Sequence, residues 1–235
     1  HVATGHYAQK RFDEASGRWQ LLKGGDARKD QSYFLFGLSQ EQLAMALFPV
    51  GALQKVDVRR LPAELALPTA DKPESQEICF VPDDDYAGFV ERQVPAEDRS
   101  GPIVDSAGTV RGRHEGVHRF TVGQRRGLGV TAPRPLYVLS VLPASRTVVV
   151  GEEEELASER LVAHEVNWLS VPPPCHPRRA QVRIRYRHAE APATLTPLPH
   201  HRVEVVFDEP QRALTPGQAA VFYDGDVCLG GGWIE

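Results

Sequence analysis

A chain of 235 residues with 41% hydrophobic and 25% charged side chains is composed like an ordinary globular protein and can bury a sizeable core. Its 27 basic and 31 acidic side chains leave a formal charge of −4, which excludes a polycation, so any nucleic-acid surface must arise from local clustering. No apolar run approaches the ~18–20 residues of a membrane span, and no signal peptide opens the chain. The 3 cysteines, Cys79, Cys175 and Cys228, are widely spaced without a CxxC pair. A reducing cytoplasm and no membrane are the expectations, with neither a disulfide framework nor a zinc site.

The first residues, His1-Val2-Ala3-Thr4, lack an initiator Met and read as the inside of a strand, which suggests that the front of the protein is missing. Ala8 to Phe12 and Trp19 to Leu22 flank a Ser-Gly turn and predict a hairpin. Asp30 or Ser32 is a candidate cap for a helix over Tyr33, Phe34 and Leu35, and Ser39 opens a second helix that reaches Leu47 and stops at Pro49. Val56 to Leu67 reads as a third helix, whose start Pro62 is expected to delay. Asp83 to Val94 predicts a short amphipathic helix with Tyr86, Phe89 and Val90 on one face.

From Ser100 the texture changes to short strands and glycine turns. Around Gly112 to Val130, Arg111, Arg113, Arg119, Arg125 and Arg126 face only Glu115 as an acid. Glu152 to Glu155 is a solvated turn or helix start. Beyond about residue 160 short strands recur at the spacing of a small barrel or sandwich. Between Ala180 and His188, Val182, Ile184 and Tyr186 alternate with Arg183, Arg185 and Arg187, which predicts a strand with one face of guanidinium groups. Val203 to Phe207 and Ala219 to Tyr223 are further strands, and Asp224-Gly225 is a hairpin turn before Val227-Cys228-Leu229.

Cys79 lies on the apolar run Ile78-Cys79-Phe80-Val81 between polar, Pro-marked turns. That placement suits a thiol presented to a substrate, and equally a small buried hydrophobe. The run from Thr121 to Gly129 combines glycines that admit a close partner with Arg125 and Arg126 as phosphate donors and Phe120 as a stacking face. A glycine-rich barrel turn with solvated arginines is its other reading. The arginine row 183, 185, 187 leans towards a polyanion, although one wet sheet face is normal. His114, Glu115 and His118 sit in strand and turn texture, so no metal site is expected there.

Gly5-His6-Tyr7 after Ala3-Thr4, the run from Lys29 to Leu35, Ser75 to Phe80, Phe120 to Gly129, and Thr215-Pro-Gly-Gln218 followed by Gly230-Gly-Gly232 occur in that order. Together they resemble the tRNA-specific 2-thiouridylase family, which thiolates the wobble uridine of certain tRNAs. The similarity runs the length of the chain and matches the family's C-terminal two-thirds. A Ser-Gly-Gly-x-Asp-Ser phosphate loop and an earlier cysteine have no counterpart in it.

The resemblance implies uridine activation with ATP and Mg²⁺, and a persulfide on the catalytic Cys79 charged by a persulfide-donating sulfur-relay protein. It also implies a later disulfide between that cysteine and the earlier one. By the same resemblance Gly5 lies against ATP, and His6, Lys29, Asp30, Gln31, Arg185, Tyr186 and Gln218 contact tRNA. Cys175 and Cys228 are then structural.

The fold expected is α/β plus β. Residues 1–82 would be the C-terminal part of an ATP-pyrophosphatase (HUP-type) nucleotide-binding domain, 83–157 a small, mostly β, central tRNA-binding domain, and 158–235 a C-terminal β-barrel. The function expected is ATP-dependent tRNA sulfur transfer, with this chain alone unable to adenylate. A non-catalytic RNA-binding fragment is the alternative. An argininosuccinate-synthase-like ligase fits the cysteine motif and basic barrel less well.

Overall fold

The computed structural model describes residues 1–64, 85–93 and 99–235, so Cys79 and its motif lie outside the described residues. The chain forms two units: His1–Lys72 with Glu159–Pro210 and Pro216–Glu235, and Pro73–Ser158 with Gln211–Thr215.

In the first unit, β1 (Val2–Ala3) precedes the hairpin of β2 (Ala8–Asp13) and β3 (Arg18–Lys23), which pairs from Ala8 opposite Lys23 to Asp13 opposite Arg18. The helix predicted over Tyr33 to Leu35 is a single 3-10 turn, Ser32–Leu35. It starts where Asp30 accepts the Ser32 N–H at 3.0 Å, an Asx-type contact that favours a turn over a long helix. α1 (Gln40–Met45) begins in a capping box, in which Ser39 Oγ accepts from Gln42 N and Gln42 Oε1 accepts from Ser39 N. It ends earlier than predicted, because residues 46–47 extend as β4 (Ala46–Leu47), a parallel partner of β1. α2 (Lys55–Glu64) starts where its apolar pattern starts, and not later. Pro62 falls in its last turn.

The second unit holds α3 (Tyr86–Gln93), β5 (Gly101–Asp105), β6 (Val110–His114), β7 (Tyr137–Leu142) and β8 (Thr147–Gly151). Its sheet runs β6-β5-β8-β7, antiparallel except for β5 against β8. Ile103, Val138, Val148 and Val150 are fully buried in its core, which Leu128 closes. Phe120, expected as a stacking face, packs half-buried on that core with its ring 5.2 Å from His114. Arg111 and Arg119 are not unopposed: each meets a carboxylate at 2.7 Å, Asp105 and Glu91 respectively, from outside the arginine-rich span.

The chain then returns through β9 (Ala157–Trp168), β10 (Arg178–Arg183), β11 (Ala191–Leu198), β12 (Arg202–Arg212), β13 (Ala219–Asp224) and β14 (Val227–Ile234). Sheet order β13-β10-β11-β12-β9-β14, with β13 also paired to β14, closes a six-stranded barrel. Val203, Val205 and Phe207 alternate inward along β12, as their period of two requires. β14 hands its first residues to β3, Val227 opposite Leu22 and Cys228 opposite Leu21, so the β2–β3 hairpin prolongs the barrel sheet. The Gly231 position shows why that strand carries glycines: a Cβ there would sit 2.7 Å from Ala220 O and 2.9 Å from the Phe36 ring.

The arginine-lined strand from 180 to 188 is corrected. β10 stops at Arg183, and residues 184–188 turn away as a bend. Ile184 stays buried, while Arg183 is drawn inward and Arg187 outward, so no flat row of guanidinium groups exists.

Candidate nucleic-acid interface

The loop between β3 and the 3-10 turn is built on one carboxylate. Asp30 is 4% exposed, and its Oδ1 accepts from the backbone N–H groups of Gly24 and Ser32, both at 3.0 Å. Its Oδ2 accepts from Ser32 Oγ at 3.1 Å and from Arg183 Nη1 at 3.0 Å. Arg183 gives its Nη2 to Glu190 at 2.6 Å, and Glu190 also takes Lys23 Nζ at 2.9 Å. Both cations lie over the buried Tyr223 ring, Lys23 at 4.8 Å and Arg183 at 5.0 Å from its centroid. Burial works against the Arg183 charge, but Tyr223, Glu190 and Asp30 outweigh it and hold its basicity above the ordinary range. A network of this kind is costly to break from one side, because the remaining charge stays buried.

Asp30 is therefore a fastening inside the first unit, not an exposed contact. Gln31 is likewise occupied: its Oε1 accepts the Tyr7 N–H at 3.0 Å and its own N–H donates to Tyr7 O at 2.8 Å. This pins the Gly5-His6-Tyr7 segment against the loop carrying half-buried Lys29. His6 Nδ1 lies 2.7 Å from Thr4 Oγ1 and the ring stays half exposed. Gly5 is exposed just past the carboxyl end of β1, and a Cβ there would meet nothing within 4 Å. Open backbone beyond the carboxyl ends of parallel strands suits the edge of a nucleotide site, so Gly5 and the strands beside it fit ATP.

On the outer side, Phe34 is 54% exposed and its ring stacks on Tyr186, centroids 4.5 Å apart at 39°. Tyr33 completes the group, edge-on to Phe34 and 6.3 Å from Tyr186. Tyr33 donates its hydroxyl proton to Ala219 O at 2.9 Å, which sets this group beside exposed Gln218. Burial raises the Tyr33 pKa, and the hydrogen bond to Ala219 and the cations of Arg183 and Arg185 oppose the shift. An exposed Phe34 ring against half-buried Tyr186, next to Arg185 in the chain, offers stacking and charge together, the two elements of single-stranded RNA recognition.

Gly5, His6, Lys29, Gln31, Arg185, Tyr186 and Gln218 all belong to the first unit, as does buried Asp30. Sequence reasoning named Phe34 only within a helix and read Arg183 as one of an exposed arginine row, and it missed the partners Lys23, Glu190 and Tyr223. Among the described residues Cys175 and Cys228 are free thiols and form no disulfide, while Cys79, for which a pairing is expected, lies outside those residues. Cys228 is buried, which pushes its thiol up to about 12. Cys175, expected to be structural, is exposed in a proline-rich loop.

Comparison with known proteins follows this layout. Residues 1–83 match the tRNA methyl transferase HUP domain, 87–152 the tRNA methyl transferase PRC-barrel domain, and 158–234 the aminomethyltransferase beta-barrel domain. A protein of Solibacter usitatus named tRNA-specific 2-thiouridylase MnmA is 57% identical over 243 residues, covering 100% of this chain and 66% of that protein. Those of the same name from Trichormus variabilis and Geotalea uraniireducens are 52% and 53% identical, covering 100% of this chain and 66% and 62% of theirs. The chain belongs to the tRNA-specific 2-thiouridylase family. It spans less than two thirds of the length of these relatives. The HUP match is the N-terminal segment of this chain, and does not bear out the expectation that residues 1–82 are the C-terminal part of such a domain. Among the described residues no helix is long and apolar enough to cross a membrane.

Proposed function

We propose that the protein containing this chain is an ATP-dependent sulfurtransferase acting on C2 of the wobble uridine of tRNA, in the cytoplasm. The observation that carries this reading is the exposed Phe34 ring against half-buried Tyr186, which follows Arg185 in the chain, on a chain whose relatives are named tRNA-specific 2-thiouridylases. ATP with Mg²⁺ supplies the activation of the uridine oxygen when bound, and Gly5 and the loop pinned by Gln31 form the near side of its site. Cys79 carries the sulfane sulfur as a persulfide received from a relay protein; that sulfur attacks the adenylated C2 and AMP leaves, and the thiol of the earlier cysteine then cuts the Cys79 S–S bond, which releases the 2-thiouridine and leaves a disulfide. His6, Lys29, Arg185, Tyr186 and Gln218 hold the RNA, with Asp30 and Gln31 positioning that surface from below. The domain limits proposed are 1–82, 83–157 and 158–235.

The test is binding and turnover on the same tRNA. Affinity falls with salt, Arg185→Ala weakens it, and digestion of tRNA incubated with ATP and a persulfide donor yields 2-thiouridine with wild type and none with Cys79→Ser. Salt-independent binding would sink the RNA surface. Binding without thiolation by the longest natural form of the protein would leave a non-catalytic RNA-binding module.

A further inference from the structure

The glycine-rich loop from Thr121 to Gly129 belongs to the second unit. Arg125 and the residues from Gly127 to Leu136 other than Thr131 line an open groove of about 440 Å³, a volume in the range of small-ligand sites. The groove has a pre-shaped floor. Gln124 buckles the turn at both ends, its Oε1 accepting from Thr121 N and its Nε2 donating to Arg126 O, each at 2.9 Å. Val138 ties it to the sheet, accepting from Gly123 N at 2.8 Å and donating to Gln124 O at 2.9 Å. Gly127 and Gly129 have φ of +73° and +67°, and a Cβ at Gly129 would meet nothing within 4 Å. The backbone there is bare and open.

The walls are of two kinds. Leu128, Val130, Pro133 and Pro135 give an apolar side. Arg134 is tied to Glu152 at 2.9 Å, whereas the exposed Arg125 guanidinium has no ion-pair or hydrogen-bond partner among the described residues. An uncommitted guanidinium at the mouth of a small, partly apolar groove matches a ligand with one anionic oxygen cluster and one flat, weakly polar body. We propose that this groove binds a single nucleotide of the RNA, its phosphate on Arg125 and its sugar and base edge against the prolines and Leu128. Arg126 stands outside the groove lining and is not needed. The inference rests on the tRNA reading above and adds a second, separate RNA contact.

The experiment irradiates tRNA carrying 4-thiouridine on the full chain, identifies crosslinked peptides by mass spectrometry, and measures affinity over a salt series. Crosslinks fall within residues 121–136. Arg125→Ala loses them, weakens binding ~10-fold and lowers the slope of log affinity against log salt by about 0.7. Arg125→Lys keeps that slope. Gly129→Asn retains the left-handed backbone, places a side chain on the bare floor, and weakens binding with an unchanged melting midpoint. If Arg125→Ala and Gly129→Asn bind like wild type while Arg185→Ala does not, the groove proposal falls and the first-unit surface stands. If poly-glutamate competes as well as RNA and no crosslink maps to 121–136, the groove takes an acidic protein segment and the proposal falls. If wild type binds no tRNA, both fall.

Discussion

Arg183 Nη1 donates to Asp30 Oδ2 at 3.0 Å across 153 positions of sequence, joining the loop after β3 to the end of β10. The pair fixes the spacing between the segment pinned by Gln31 and the turn that carries Arg185 and Tyr186. Removing the cation strands Asp30, 3% exposed at its side chain, without its strongest donor. Arg183→Ala therefore costs about 3–5 kcal/mol of stability, read by chemical denaturation, with Arg183→Lys recovering part of it. A loss below 1 kcal/mol would mean that the network is solvated and contributes little.

Tyr186→Ala and Phe34→Ala each weaken tRNA binding by about 1–3 kcal/mol, the worth of one stacked base. Tyr186→Phe keeps the ring and stays near wild type. The salt slope is unchanged in all three, which separates stacking from the charge of Arg185.

The cysteines differ in reactivity by environment. Cys175 is exposed and labels readily, whereas Cys228 is buried with its thiol raised to about 12. In Cys175→Ser, thiol labelling of the folded chain near neutral pH maps to Cys79, and Cys228 reacts only on unfolding. Rapid native labelling of Cys228 would show that the barrel opens there.

The same thiol makes stability pH-dependent. Burial keeps Cys228 protonated in the folded chain between its ordinary value of 9.0 and about 12, while the unfolded chain has released that proton. The unfolded state then binds fewer protons, so stability falls as pH rises through this window. Tyr223, raised first of all by burial, acts in the same direction from 10.0 upward. Cys228→Ala flattens the alkaline limb of the melting curve, and an unchanged limb would assign it to Tyr223 alone.

Gly231→Ala places a methyl group against Ala220 O and the Phe36 ring. Overpacking of this kind costs about 1–3 kcal/mol, seen as a lower melting midpoint with secondary structure retained.

Much of this fold was legible where the signal is local. The Ser-Gly hairpin, the Ser39 cap and the inward alternation of Val203, Val205 and Phe207 each follow from turn chemistry or period. Reading failed where a distant partner decides the outcome. Arg183 alternates with Val182 and Ile184 like a surface residue, yet Asp30 and Glu190 draw it inward, and no local pattern announces either acid. Asp30 sits in a polar run that suggests an exposed contact, and its burial depends on β10 and β13. Phe34 follows Tyr33 as a core residue would, but the 3-10 turn directs one ring in and the other out.

The β2–β3 hairpin belongs by sequence to the HUP match and by hydrogen bonding to the barrel sheet. A barrel produced from residue 158 onward would thus carry a naked edge along Val227 and Cys228, a template for strand addition and aggregation. Supplying the peptide of residues 8–23 in trans would cover that edge. The segment that family boundaries assign to the nucleotide domain is, for the barrel, a missing pair of staves.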